Sequence, residues 1–299
     1  MKRSLRHGLL LVALPFIYPL HAEDPKKDPT TIGNRNVAKG LNRYSIEQEI
    51  ALGKQLAIEV QRQAHVIDDP IIAEYINRLG QNLARNSDVT FPLTFTLLEG
   101  EEINAFTLPG GYIFANASVF RLSDNEAELA SVLAHELAHA AARHATRQAT
   151  RNDVISLSTL PLLVFGGWGG LAARHAANVF APLALFHFSR AFETEADLLG
   201  VQYLWKAGYD PTATVDMFER VESTERKQPG SVSKLFRTHP LTPDRIRKTQ
   251  KDIGELLPAR SEYVLNTSEY EDVRARLAQI TEARKAETKD AGRPTLQRH

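Results

Sequence analysis

The sequence predicts an α+β fold, mainly helical, with a small antiparallel sheet. Three observations carry this. Helix-capping signals recur along the 299-residue chain, each followed by a helical apolar pattern. Between residues 93 and 115, three short segments rich in β-branched and aromatic residues are separated by turn residues. No period of 20–50 residues recurs, which excludes a repeat array.

The elements follow in order. Residues 1–22 read as a secretory signal peptide: Lys2, Arg3 and Arg6 are basic, residues 8–20 are apolar, and Ala22 offers a small residue at the cut. Removing them leaves 33 basic and 36 acidic residues, a net charge of −3. Residues 23–42 are polar, with Pro25 and Pro29, and read as a flexible lead-in. Ser45 to Gln48 form a capping box that opens a helix to about residue 63. Asp69 caps a second helix with Pro70 at its first position, running to about residue 84. Residues 93–98, 104–108 and 112–115 are the strands, with Gly110 and Gly111 at a turn. Ser123 to Glu126 read as a second capping box, opening a long helix. Further helices are expected over 189–205, 211–225, 242–257 and 269–285.

Residues 154–173 form an uncharged run of 20, long enough to span a bilayer, but they contain Pro161 and four glycines. The expectation is an apolar flap or membrane-touching segment over 150–188, since large exposed apolar surfaces mark contact sites. The organisation is then signal peptide 1–22, lead-in 23–42, catalytic domain 43–257, and a C-terminal helix and tail 258–299.

Composition excludes several function classes. With 43% hydrophobic and 24% charged residues the chain is of ordinary globular type. Lys+Arg and Asp+Glu both number 36, so no basic excess marks a nucleic-acid partner. There is no cysteine, which removes disulfides, thiolate ligands and Cys nucleophiles.

The chemistry centres on His135-Glu136-Leu137-Ala138-His139. Two histidines at i and i+4 project from one helix face, so both imidazoles can reach one zinc ion. Glu136, beside the metal, is placed to take a proton from water attacking a peptide carbonyl. Ala142 and Ala145 stand where an extended motif would have glycine and a third histidine, so the third ligand must come from another helix. Glu193 and Asp197, again i and i+4, are its best source: one carboxylate can bind zinc while the other accepts the free N–H of a ligand histidine. Glu195 points elsewhere on that helix. His144 falls off the ligand period and reads as packing or surface, and His65, His175 and His187 have no motif partner. His239, in Thr238-His239-Pro240 ahead of Arg245, can hydrogen-bond an oxyanion or occupy a fourth metal position.

In order and spacing these blocks resemble the HtpX, Oma and CAAX prenyl endopeptidase superfamily of zinc metalloproteases (peptidase family M48). The likeness is closest to its periplasmic BepA-like members. It spans about residues 45–251 and includes the 75–80 block Tyr-Ile-Asn-Arg-Leu-Gly, Glu102 to Phe106, and Gly200. The resemblance implies a gluzincin-type zincin fold with the sheet along the cleft. It implies His135, His139 and Glu193 as ligands of one Zn2+, Glu136 as general base and Asp197 behind the ligands. His239 would be an active-site residue able to sit on zinc and hold the enzyme latent. Asn104, Ala105 and Phe106 would lie on an edge strand that aligns substrate, and Arg245 would contact substrate. The implied activity is metalloendopeptidase degradation of misfolded or misassembled exported proteins in the periplasm, with unfolded polypeptides as partners, possible membrane-surface contact through 154–186, and no nucleic acid. The alternative is a latent protease acting mainly as a chaperone or assembly factor. BepA-like members continue into a helical-repeat domain, and about 40 residues follow Leu257 here, so repeat-mediated recruitment is not implied.

Overall fold

The computed structural model describes residues 24–151, 188–227 and 239–291, with side chains in the last helix through Arg284. The signal peptide, nearly all of the apolar segment (including His175 and His187), Thr238 and the last eight residues lie outside the described residues. Helices are α1 (Ile46–Gln63), α2 (Pro70–Arg85), α3 (Ala117–Leu122), α4 (Glu126–Ala141), α5 (His144–Arg151), α6 (Arg190–Lys206), α7 (Ala213–Lys227), α8 (Pro243–Leu256) and α9 (Ser268–Ala291). Strands are β1 (Thr94–Leu98), β2 (Ala105–Leu108) and β3 (Tyr112–Asn116). No described helix is long and apolar enough to cross a membrane.

Local chemistry explains the boundaries. The Ser45 capping box is complete: Gln48 N–H donates to the Ser45 hydroxyl, and the Ser45 N–H donates to the Gln48 side chain. Asp69 accepts from the Ile72 N–H, ahead of Pro70. The cap of α4 lies two residues beyond its expected place. Asn125 accepts from the Glu128 N–H, and Glu128 reaches back to the Asp124 N–H. Ser123 instead ends α3 and donates to the Val119 carbonyl. Two overlapping cap signals compete there, and the one nearer the apolar run of α4 wins.

The sheet has order β1-β3-β2. It is mixed rather than antiparallel: β2 pairs antiparallel with β3, but β1 runs parallel to β3. The β2–β3 hairpin turns through Gly110 and Gly111, at φ 70° and 91°, a left-handed stretch that favours glycine. Among the described residues β2 is an edge strand, and it lies against α4.

One core unites α2, α4, α6, the sheet and α9, with Ile72, Phe120, Leu133, Leu199, Tyr203 and Tyr270 among its deepest members. The lead-in departs from its expected flexibility. Ile32 and Val37 join this core, and Arg35 pairs with buried Asp88 at 2.8 Å. Two aliphatic side chains in a polar stretch are enough to dock it, and the prolines start two short 3-10 turns.

Candidate active site

Two helices bring the acids to the histidines. α4 carries His135, Glu136 and His139, and α6 carries Glu193 and Asp197. The helices meet closely at Gly200, where a Cβ would lie 3.3 Å from the Cα of His135. Glycine there lets the backbones approach until the α6 carboxylates reach the α4 imidazoles. His239 arrives from the segment just before α8.

Four donor atoms, one each from His135, His139, Glu193 and His239, lie within 4.8 Å of one another. His135 Nε2 is 3.1 Å from His139 Nε2 and 3.5 Å from Glu193 Oε2. His139 Nε2 is 3.6 Å from Glu193 Oε1. His239 Nδ1 is 3.1 Å from Glu193 Oε1 and 3.4 Å from His135 Nε2. Tetrahedral zinc with bonds near 2.0–2.1 Å sets its ligands about 3.3 Å apart. The two distances from His135 to its fellow histidines lie near that polyhedron edge, both Glu193 oxygens face the imidazoles, and three imidazoles with one carboxylate are a donor set that suits zinc. The residues therefore fit the ion.

Behind the donors lies a charged frame. His135 Nδ1 is 3.1 Å from Asp197 Oδ1, in an approach bent away from the ring N–H axis. Arg245 grips Asp197 bidentately, Nε to Oδ2 and Nη2 to Oδ1 at 2.7 Å each, and Nη1 lies 3.0 Å from Glu193 Oε2. Burial pulls the His135 imidazole down, but Asp197 and Glu193 outweigh it and push it up to about 9. Burial raises Asp197 most strongly, but the charge and hydrogen bonds of Arg245, together with His135, outweigh it and hold it below the usual carboxylate range. Glu193 sits well below that range, because the three imidazoles overcome its burial. Burial pulls His139 well below the ordinary histidine value.

Glu136 is buried and faces β2. The Thr107 hydroxyl lies 2.8 Å from both Glu136 Oε2 and the Glu136 carbonyl, and can donate to either. Glu136 Oε1 is 3.4 Å from His239 Nε2.

The sequence-expected residues divide. His135, His139, Glu193, His239, Glu136 and Asp197 are brought together. Arg245 is present too, but its guanidinium is committed to Asp197, Glu193 and the Pro240 carbonyl, so the structure makes it an anchor for the acids rather than a free substrate contact. Asn104, Ala105 and Phe106 are all buried. Ala105 and Phe106 pair with Ala115 and Phe114 on β3, and the Phe106 ring stacks on Phe114 in the core, so β2 is buried along its whole length, backbone included.

Sequence reasoning missed His144 and Thr107. His144 Nδ1 is 3.0 Å from His139 Nδ1, and its Nε2 is 3.1 Å from Glu195 Oε2. Helical spacing does not place it there. Arg143 adopts φ 55° and breaks the helix between α4 and α5, which swings His144 back onto His139. Glu195 does turn away from Glu193, as spacing requires, and what it meets is His144, Lys26 and Arg147. His65 lies beside β1, its carbonyl accepting from the Glu99 N–H, away from this cluster.

The Peptidase family M48 profile matches residues 70–253, which contain every residue of the cluster. The chain is 32% identical over 225 residues to the Beta-barrel assembly-enhancing protease of Yersinia pestis, covering 72% of this chain and 46% of that protein. It is 32% identical over 243 residues to the Putative beta-barrel assembly-enhancing protease of Vibrio cholerae, covering 79% and 50%. It is 34% identical over 152 residues to the Mitochondrial metalloendopeptidase OMA1 of Schizosaccharomyces pombe, covering 51% and 44%. The chain thus spans about half the length of these curated relatives. The chain belongs to peptidase family M48, whose profile covers residues 70–253.

Proposed function

We propose that this protein is a zinc-dependent endopeptidase that cleaves misfolded or misassembled exported polypeptides in the periplasm and is held latent by His239. The observation that carries the reading is the convergence of His135, His139 and Glu193 at zinc-ligand spacing, with Glu136 buried alongside. The signal-like residues 1–22 support export, and the bacterial relatives are named for β-barrel assembly.

His135, His139 and Glu193 would hold the metal. When bound, zinc supplies Lewis acidity toward the scissile carbonyl and makes water easier to deprotonate. Glu136 takes the proton of the attacking water on its free oxygen and passes it to the leaving amine. Thr107 fixes the Glu136 carboxylate, and Asp197, clamped by Arg245, sets its negative charge beside His135 Nδ1. β2, an edge strand next to α4 among the described residues, would offer main-chain hydrogen bonds to an extended segment once its buried edge is uncovered. His239 places Nδ1 beside Glu193 while its Nε2 faces Glu136, so it would stand in the way of both the metal and the base. Catalysis then requires His239 to withdraw.

That same plug favours one second reading: a latent protease that acts mainly as a chaperone or assembly factor. Casein cleavage by the zinc-loaded protein separates the two, with wild type beside His239→Ala and Glu136→Gln. Cleavage by wild type or His239→Ala that is lost in Glu136→Gln supports the protease, and activity confined to His239→Ala identifies the latch. No cleavage by any zinc-loaded variant favours the chaperone.

A further inference from the structure

The two α4 histidines are backed by different partners. Behind His135 stands one carboxylate, Asp197. Behind His139 stands a second imidazole, which hands on to a carboxylate one step further out. His144 is fully buried, and its ring stacks on Phe192 at 4.3 Å between centroids and 21° between planes. Its Nδ1 faces His139 Nδ1 and its Nε2 faces Glu195 Oε2. The other oxygen of Glu195 accepts from the Lys26 ammonium, and Arg147 Nη1 lies 3.5 Å from Oε2.

The protons in this chain have one consistent arrangement. A neutral imidazole carries one N–H and one lone pair. Two Nδ1 atoms 3.0 Å apart need one donor and one acceptor. If His139 Nε2 gives its lone pair to the metal, its proton is on Nδ1 and it must donate. His144 Nδ1 must then accept, which puts the His144 proton on Nε2. That N–H points at Glu195, an ionised carboxylate that can only accept. Every link runs toward Glu195, so negative charge there favours the His139 tautomer that can bind metal.

Lys26 extends the chain to the N-terminal segment. Its carbonyl accepts from the Gln202 amide and from Arg35, at 2.8 Å each, and Arg35 is held by Asp88. The segment therefore carries a cation into contact with the acid that closes the chain.

We infer that His144 and Glu195 are positioning residues for His139, fixing its tautomer and ring orientation for metal binding, and that Lys26 clamps Glu195 in place. The inference rests on the metal-centre reading above. Carboxylate partners behind ligand histidines typically govern metal affinity by about 10–100-fold. The two-imidazole arrangement places that control on a residue outside the His-Glu-x-x-His motif.

The test is zinc affinity, measured by competition with a chromophoric chelator on the whole chain, beside thermal unfolding of the metal-free form. His144→Phe keeps the aromatic stack and removes the acceptor, so zinc binding is expected to weaken about 10–100-fold. His144→Asn offers an amide oxygen near the former Nδ1 and is expected to recover part of that loss, a rescue that a purely structural role would not produce. Glu195→Gln and Lys26→Met should weaken binding by smaller factors, Lys26→Met least. His144→Phe and Glu195→Gln both binding zinc within about twofold of wild type, against the range expected for such partners, would overturn the inference. If His144→Phe does not fold, Glu195→Gln decides alone. Wild type that binds no zinc removes the metal centre itself and the inference with it, an outcome distinct from wild type that binds and variants that do not differ.

Discussion

Gly200 on α6 lies against His135 on α4 so closely that a Cβ at Gly200 would sit 3.3 Å from both the Cα and the N of His135. This contact sets how near the α6 carboxylates come to the α4 imidazoles. Gly200→Val should force the helices apart and lower stability by about 1–3 kcal/mol, the usual range for overpacking. Zinc affinity should fall with it. Urea denaturation and chelator competition on the same variant check both effects. Gly200→Ala should do far less, since better helix propensity opposes the tighter contact.

Arg245 carries the charge balance of the site. Arg245→Met leaves Asp197 and Glu193 buried without their cation, which should cost the metal-free protein about 3–5 kcal/mol. Arg245→Lys should recover little of this, because an ammonium does not reproduce the bidentate grip on Asp197. The midpoint of urea denaturation for the three proteins measures the ranking.

Metal removal should destabilise the fold as well as silence it. A ligand present at 1,000 times its dissociation constant adds about 4 kcal/mol to the native state. Chelation should therefore lower the melting temperature, and one equivalent of zinc should restore it. His135→Ala should show no such shift, since it removes a donor from the set.

The last helix is fastened to the second by an ion pair that titrates in acid. Arg276 donates to both oxygens of Asp69, at 2.8 and 2.7 Å, and this side-chain bond is the main cause holding the Asp69 carboxyl below its ordinary value of 3.8. A lowered folded value means the stabilisation is complete above about pH 4 and is lost as pH falls through the lower folded value. Arg276→Ala should thus be less stable than wild type at pH 7, with the gap closing in acid and shrinking in high salt. Unfolding curves at pH 7 and pH 3 measure it.

What was legible in the sequence was local. His135 and His139, and Glu193 and Asp197, each share a helix turn, so one spacing rule finds each pair. The caps at Ser45 and Asp69 are equally local, a side chain accepting from an N–H three residues on. The parallel pairing of β1 with β3 was not legible, because it depends on which side of the β2–β3 hairpin β1 docks. Nor was His144, whose place follows from one left-handed residue, Arg143, held by Glu49 and the Tyr44 carbonyl. The docking of residues 24–40 uses two aliphatic side chains, the Arg35–Asp88 pair and scattered polar contacts such as Lys26 with Glu195, a pattern that sequence composition reads as linker.

In the proposed zinc site, four side chains from three separate parts of the chain share one ion, His239 among them. Anomalous diffraction at the zinc edge, from crystals of the zinc-loaded protein, tests it most directly. The account predicts one peak per chain, bonded to His135 Nε2, His139 Nε2, a Glu193 oxygen and His239 Nδ1. A peak held by other residues, or none at this site in zinc-loaded crystals, would contradict it.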